Sequence, residues 1–480
     1  MKKITKSRFQ GMYAFLFLML LSSLSSFSQT FIEVGSIPFT ANNDGRNTFA
    51  DIDGDSDLDL LIIGDISGSF IAELFRNDGL GGYTLIAGTP FTGVERGDAV
   101  FGDVDGDTDL DVIIAGDDGP GQITKLYLND GTGAFTESVT HSFSGVRGTS
   151  ALALADVDGD TDLDLMLSGW DGSTRVTELH TNNGTGVFTL VAGTPFSAFD
   201  GVTIDFADVD GDTDLDVLLT GKEHVSAVGQ TELYLNDGSG VFTLDATTTF
   251  TGLRTCDVQF GDIDGDTDLD VIISGWNESA GITEIYKNNG SGVFTIDATA
   301  SFSGFRTPSL DLVDIDNDSD LDVLICGKQE ASLLAETELY LNDGSGNFTI
   351  TTDTFLGTRS GDIASADIDG DGDNDVIISG WDETARNIKL YTNDLIVLGV
   401  EESLLSEVAI YPNPTNGLIK VSTKNNQLIN NIQVFDLLGK TVKDVKVNNN
   451  SVDISSLSSG VYLLRLDSEN VSIIKRIVKE

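Results

Sequence analysis

A run of alternating aspartates recurs seven times in this chain, beginning at Asp51, Asp103, Asp156, Asp208, Asp262, Asp314 and Asp367, at intervals of 52 to 54 residues. So regular a period confines the fold to an array of one supersecondary unit, because every copy must present the same faces to its neighbours. The runs comprise Asp51, Asp53, Asp55, Asp57 and Asp59; Asp103, Asp105, Asp107, Asp109 and Asp111; Asp156, Asp158, Asp160, Asp162 and Asp164; Asp208, Asp210, Asp212, Asp214 and Asp216. The series continues with Asp262, Asp264, Asp266, Asp268 and Asp270; Asp314, Asp316, Asp318, Asp320 and Asp322; and Asp367, Asp369, Asp371, Asp373 and Asp375. The fourth position is Gly except for Asn317 in the sixth copy, and the seventh has Asn374 where the others have Leu. Neither change removes an aspartate.

Four short segments surround each cluster. In the fourth copy they are Thr203–Ala207, Leu215–Gly221, Thr231–Leu235 and, after the turn Asn236-Asp237-Gly238-Ser239-Gly240, Val241–Leu244. Their β-branched and aromatic content, period-two alternation and Asn-Asp-Gly turn read as four antiparallel strands. A unit of about 50 residues with four strands has the size of a β-propeller blade, whereas open solenoids use shorter repeats. The seventh copy stops at Asn393-Asp394 without a fourth strand, while Thr30–Phe39 aligns with fourth-strand segments such as Phe188–Phe196. The expectation is an all-β chain: a seven-bladed propeller of four-stranded blades, closed by the N-terminal strand and leaving no open edge there.

The formal charge of −50 requires organised acid, since 40% of the residues are hydrophobic and fall in short alternating runs. Thirty-five of the 77 acidic residues lie in the seven loops. Positions one, three, five and nine supply carboxylates, position seven can offer its backbone carbonyl, and Gly at four permits the sharp turn. Hard oxygen donors at this density suit Ca²⁺ better than Mg²⁺, and with no His or Cys in the loops zinc does not fit. An ion-free acidic turn is the alternative, but two carboxylates about 5 Å apart repel by about 3 kcal/mol at an effective dielectric near 20. Seven structural divalent ions would bring the charge of −50 to −36.

With Phe101-Gly102 and Phe260-Gly261 before the second and fifth clusters, the loops resemble the FG-GAP and VCBS repeat family, which includes the integrin α-subunit propellers. The resemblance covers about residues 30 to 395. It implies that the calcium loop joins the first two strands of each blade on the lower face, where the ion stiffens a hairpin and performs no chemistry.

The two ends carry different signals. Lys2, Lys3, Lys6 and Arg8 precede the apolar run Met12–Leu21, and small residues Ser26 and Ser28 follow, which reads as a signal peptide over 1–28 with no other membrane-spanning stretch. After a propeller at 29–395 and a linker at 396–406, residues 407–480 change character: from 405 onward there are nine basic and seven acidic residues. The segments Val408–Gly417, Val434–Lys440, Asp453–Leu457, Gly460–Leu464 and Lys475–Glu480 resemble the type A sorting domain of the type IX secretion system. That family, found in Bacteroidetes, implies a small β-sandwich, export across the outer membrane, the secretion machinery and its sortase as partners, and a mature protein that is secreted or on the cell surface. A small carbohydrate-binding sandwich is the competing reading.

Function is expected on the face opposite the calcium loops. The position ending the second strand is occupied by Asp65, Asp117, Trp170, Lys222, Trp276, Lys328 and Trp381, so all three tryptophans are equivalent. The other loop on that face carries Arg46, Arg96, Arg147, Arg254, Arg306 and Arg359, with Asp200 in the remaining copy. One reading has each Trp packing on a neighbouring blade and each Arg paired with a local carboxylate; the other makes these residues a platform for stacking on sugars. The preferred function is non-catalytic glycan or cell-surface recognition, with a polysaccharide lyase or hydrolase, or a protein-binding adhesin, as alternatives. His141, His180 and His224 are not gathered by the repeat, and paired catalytic carboxylates cannot be singled out among so many. Cys256 and Cys326 occupy non-equivalent places and read as buried small hydrophobes, and the charge disfavours nucleic acid.

Overall fold

Each repeat folds into a four-stranded antiparallel sheet whose strands follow one another as neighbours. In the fourth, these are Phe199–Ala207, Asp216–Glu223, Gly229–Leu235 and Thr243–Leu244. The other sheets built from consecutive strands begin at Asn43, Glu95, Arg147, Arg254 and Ser309. The seventh contains Arg359–Ala366, Asp375–Trp381 and Arg386–Asn393, and its fourth strand is Phe31–Glu33, with Phe31 opposite Asn393 and Glu33 opposite Tyr391.

The structure is a computed structural model that describes residues 27–28, 30–139, 141–223, 228–393, 396–397, 409–422, 431–435, 440–446, 451–467 and 472–480. Nearly all of the expected signal peptide, His224 and most of the linker at 396–406 lie outside the described residues. The described residues contain no helix, hence none long and apolar enough to cross a membrane. The chain divides into two compact units, Gln29–Ile396 and one that holds Val397–Glu480.

Second strands such as Asp59–Asp65 are buried at every residue, which differs from the solvent-facing alternation expected of a half-buried strand. The period of two survives in another form. Leu60 and Ile62 pack into a core shared with Ile377 and Leu390 of the seventh sheet, while Leu61 and Ile63 pack into one shared with Val112 and Ile114 of the second. Both faces of a blade are covered by neighbours, so alternation selects which neighbour is touched. Seven such clusters, one per pair of adjacent sheets, form the core of this unit, and the one between the seventh and first is built like the rest.

A polar latch repeats alongside these cores. The Asn at the end of each third strand donates its side-chain N–H to the carbonyl at loop position two of the preceding sheet: Asn129 to Ile52, Asn236 to Val157 and Asn342 to Ile263, each at 2.8 Å. Asn182, Asn288 and Asn393 do the same to Val104, Val209 and Ile315, and Asn77 reaches Ile368 of the seventh sheet at 2.8 Å. The turn that follows needs glycine. Gly238 has φ +73° and a Cβ there would lie 2.4 Å from the Asp214 carboxylate, which rests over it.

The second unit has a three-stranded sheet, Ala409–Tyr411, Leu418–Ser422 and Ser451–Asp453, and a four-stranded one, Asn431–Phe435, Thr441–Lys446, Gly460–Asp467 and Ser472–Lys479. Ile419, Val421 and Val452 of the first share a core with Ile432, Val434, Leu464 and Ile477 of the second, giving a small β-sandwich. Within the segment Tyr411-Pro412-Asn413-Pro414-Thr415, the Asn413 side chain accepts from Val478 N–H at 2.8 Å, and Thr415 N–H donates to the Val478 carbonyl at 2.9 Å. The motif thus straps the last strand.

Replacing Asn236 with Ala removes buried donors from two carbonyls, Val157 at 2.8 Å and Leu215 at 3.2 Å. The expected cost is about 1–3 kcal/mol, read as a lower urea midpoint, whereas Ala at the exposed Asn347 should change stability by less than about 0.5 kcal/mol.

Candidate metal centres and the opposite face

The aspartate loops fold around their own first residue. In the first copy, Asp51 accepts N–H bonds from Gly54, Asp55 and Ser56 at 2.8, 3.2 and 3.0 Å, and Asp55 accepts from Asp57 at 3.0 Å. The position-four residue turns sharply, with φ +73° at Gly54, and Asn317 adopts φ +58° in the sixth copy, a conformation Asn tolerates. The last carboxylate closes the loop. Asp59, 1% exposed, accepts from Ile52 N–H at 3.3 Å through one oxygen and from Asn77 N–H at 2.8 Å through the other.

Positions one, three and nine converge. Carboxylate oxygens of Asp51, Asp53 and Asp59 lie within 4.8 Å of one another, as do those of Asp103, Asp105 and Asp111; Asp156, Asp158 and Asp164; and Asp208, Asp210 and Asp216. In the fifth loop the convergent set is Asp262, Asp264 and Asp266. Oxygens sharing a cation of Ca²⁺ size are separated by up to about 5 Å, twice the metal–oxygen distance. In every loop one oxygen of the position-three aspartate is buried without a hydrogen-bond partner: Asp53, Asp105, Asp158, Asp210, Asp264, Asp316 and Asp369. A buried carboxylate oxygen left orphaned is costly, and seven repetitions of it at the focus of other carboxylates fit a bound cation. The donor set is all oxygen and suits a hard divalent ion. Burial also pushes the position-nine acids upward, Asp59, Asp164, Asp216 and Asp270 to about 6 and Asp111, Asp322 and Asp375 to about 7. A cation would hold them ionised.

The side chain at position seven turns to the following hairpin. Asp57, Asp109, Asp162, Asp214, Asp268 and Asp320 lie over the glycine of the turn before the fourth strand. Two loops also recruit a base, Arg76 at 3.0 Å from Asp53 and Lys287 at 3.0 Å from Asp264.

The first strands of all seven sheets line a central cavity of about 640 Å³. Its carboxylates clamp one blade to the next. Asp98 accepts from Leu152 N–H at 2.9 Å, Asp205 from Phe260 N–H at 2.8 Å, Asp257 from Leu310 N–H at 3.0 Å and Asp362 from Asn47 N–H at 2.8 Å. Asp311 accepts from the Ser365 hydroxyl at 2.6 Å. Burial raises Asp205 to about 7 and Asp257 and Asp311 to about 6.

The six arginines expected together in one loop occupy different places, because six of the seven first strands shift register there and successive residues are rotated differently. Arg46 lies inside a strand and pairs with Asp362 at 2.9 Å and Asp98 at 3.6 Å across the cavity. Arg96 sits on a bulge with φ +47° and Arg147 pairs with Asp117 at 3.6 Å. Arg147 shares its strand position with Arg254 and Arg359, but it is Arg254, Arg306 and Arg359 that pair alike, with Glu278, Glu330 and Glu383 at 3.3, 2.7 and 3.0 Å.

The tryptophans do end second strands, directly across from arginines: Trp170 from Arg147, Trp276 from Arg254 and Trp381 from Arg359. All three are half-buried, and each has a guanidinium near its ring, Arg306 at 4.3 Å from Trp276, Arg175 at 6.0 Å from Trp170 and Arg386 at 5.9 Å from Trp381. The histidines also depart from expectation, since His141 and His180 flank Phe143 with centroids 4.3 and 5.2 Å away. His180, 2% exposed, pairs with Glu178 at 3.0 Å where five of the other repeats place a Tyr and the first places Phe75. Cys256 and Cys326 are free and buried.

FG-GAP-like repeats are matched over residues 51–114, 103–167 and 331–378, and a secretion system C-terminal sorting domain over residues 409–480. The sorting tail marks a protein secreted by the type IX system to the cell surface or beyond. No curated relative matches the chain in sequence. Among solved structures, it is similar to PorZ, a surface component of the type IX secretion system of Porphyromonas gingivalis, at 11% identity and TM-score 0.40 over 93% of this chain and 61% of that one. It thus spans less than two thirds of PorZ. The exotype rhamnogalacturonan lyase YesX is similar at 14% identity and TM-score 0.40 over 76% of each chain. The NanB sialidase of Streptococcus pneumoniae is similar at 11% identity and TM-score 0.36 over 77% of this chain and 70% of that one.

Asp210→Asn removes charge at one orphaned oxygen. The preparation should lose one equivalent of bound divalent ion by elemental analysis, and the variant should melt lower than the parent with metal but higher after chelation, where repulsion is relieved. Arg46→Met strips the counter-ion from buried Asp362 and should cost about 2–3 kcal/mol in urea unfolding, below the range for a fully buried pair because Arg46 is 31% open to the cavity.

Proposed function

We propose that this chain of FG-GAP-like repeats, exported through its C-terminal sorting tail, is a calcium-stiffened recognition module: a closed ring of seven blades, spanning 29–395, that binds glycans outside the cell. The sorting tail, 407–480, would engage the secretion machinery and then be removed by its sortase, following a signal peptide at 1–28 and a linker at 396–406. The observation that carries the calcium assignment is the orphaned carboxylate oxygen at position three of all seven loops. Each ion would link positions one, three and nine of a loop and stiffen the hairpin that holds the Asn latch.

Glycan recognition is supported by the half-buried indoles of Trp170, Trp276 and Trp381, which stand at the hairpin ends opposite the metal loops. Antiparallel strands put the connection between strands one and two at one end of a blade and that between two and three at the other, so metal and indole occupy different faces. A sugar ring stacks on such an indole face without needing a charged partner. A non-catalytic role is favoured by what the raised carboxylates of the cavity do. Asp205, Asp257 and Asp311, the groups an acid–base mechanism would draw on, are engaged by amides or a hydroxyl of the next blade.

Two measurements test this. Exhaustive chelation should lower the thermal midpoint, and Ca²⁺ should restore it more fully than Mg²⁺, since each site held at a hundredfold its Kd adds about 2.7 kcal/mol. An unchanged midpoint removes the calcium assignment. On a broad glycan array the parent should bind and the triple Trp→Ala variant at 170, 276 and 381 should not; binding to a protein alone, without glycan competition, would favour an adhesin.

A further inference from the structure

Eleven of the 14 basic residues between 30 and 400 form ion pairs within 4 Å. Among the described residues Arg96, Lys222 and Lys328 form none, and Arg96 and Lys222 both line one cavity of about 460 Å³ at the upper mouth of the central channel. In a chain of charge −50, two cations left unpaired on one cavity wall are a specific arrangement, since acidic partners are abundant everywhere else.

The backbone around this mouth is distorted in a repeated way. First strands shift register between Asn43 and Arg46, Glu95 and Asp98, Asp200 and Thr203, Arg254 and Asp257, and Arg359 and Asp362. At the bulges Asp44, Arg96, Thr255 and Ser360 take φ of 49°, 47°, 45° and 49°, with Gly201 at 65°. All five line the mouth. Left-handed backbone is unfavourable for residues with a Cβ, and a ring of it around a cavity is the kind of strain that ligand sites retain. Thr307, on the same wall, has a hydroxyl oxygen that is buried without a partner.

Unpaired cations and hydroxyls in a cavity of this size match a ligand carrying both a carboxylate and several hydroxyls. We propose that the channel mouth seats a uronic acid residue of an acidic glycan, with its carboxylate drawn to Arg96 and Lys222 and its ring hydroxyls met by Thr307 and Ser360. Three acids line the mouth: Asp200 is paired with Arg175 at 3.2 Å, Asp257 accepts from Leu310 N–H at 3.0 Å, and Asp44, which accepts from the Asn43 side chain at 2.7 Å, lies near Arg96 without forming an ion pair within 4 Å, so the guanidinium keeps its hydrogen-bond donors for a ligand. The proposal rests on the glycan reading and deepens it, because the indoles would hold neutral sugars whereas the mouth selects charge.

Calorimetric titration of the full secreted chain, in calcium, with trigalacturonate and with its methyl ester separates the two. The acid should bind at least about tenfold tighter than the ester, the factor that a difference of 1.4 kcal/mol corresponds to. Arg96→Gly and Lys222→Gln should each remove most of that preference while leaving the ester's affinity unchanged. Because Arg96→Gly relieves a left-handed residue, its thermal midpoint should rise, so weakened binding there is not misfolding. Equal affinity for acid and ester, or an acid preference that survives both substitutions, overturns the proposal. If neutral glycans still bind through the tryptophans, the glycan reading stands without it; if neither trisaccharide binds and the array is silent, both fall.

Discussion

The interaction on which most of this architecture depends is the pair of hydrogen bonds accepted by the last aspartate of each loop. Asp216 takes one amide from Val209 within its loop at 3.2 Å and another from Asn236 at the end of the third strand at 2.8 Å. That second bond fixes the backbone whose side chain reaches Val157 of the preceding sheet at 2.8 Å. One buried carboxylate therefore couples the shape of an aspartate loop to the junction between blades. Since the same carboxylate belongs to the convergent set with Asp208 and Asp210, an ion held there would be felt across the junction as well as within the hairpin.

Acid is used a second time where the blades meet around the channel. First strands expose backbone amides along the cavity, the same difficulty that any sheet edge presents. Asp98, Asp205, Asp257 and Asp362 accept those amides from the following blade, so the edge is covered by side chains in place of another strand. At the outer rim the difficulty is met by brevity. Fourth strands such as Thr84–Leu85 and Thr243–Leu244 are two residues long and leave little edge to pair.

The repeated parts of this design were legible in the sequence. Four strands per repeat, the tryptophans at the ends of second strands and the sandwich after the repeats could all be read from motifs that recur or come in fixed order, whereas of the carboxylates expected at one, three, five and nine the first four loops bring together one, three and nine and the fifth brings together one, three and five. The parts that escaped depend on register. Arg46 and Arg306 look alike in a list of arginines near the start of a repeat, yet a bulge turns Arg46 onto Asp362 in the channel while Arg306 pairs with Glu330 at the rim. A bulge inserts one residue and reverses the side chain's direction, and no spacing rule reveals where it falls. The meeting of His141 and His180 around Phe143 is missed for a related reason, because they come from different elements and neither position repeats. The asparagine before each turn was visible as turn chemistry. Its reach to the preceding blade was not, since a residue's local role gives no hint of a partner some 79 positions away.

The strand Phe31–Glu33 has a kinetic meaning. It joins Arg386–Asn393 across a gap such as the 356 positions between Glu33 and Lys389, which are ion-paired. Bringing ends so distant together costs about 5 kcal/mol in loop entropy beyond a constant, more than three residues of strand pairing recover alone. The seam can form only after the intervening blades have stacked and shortened the gap. It is correspondingly the last joint of the array to close.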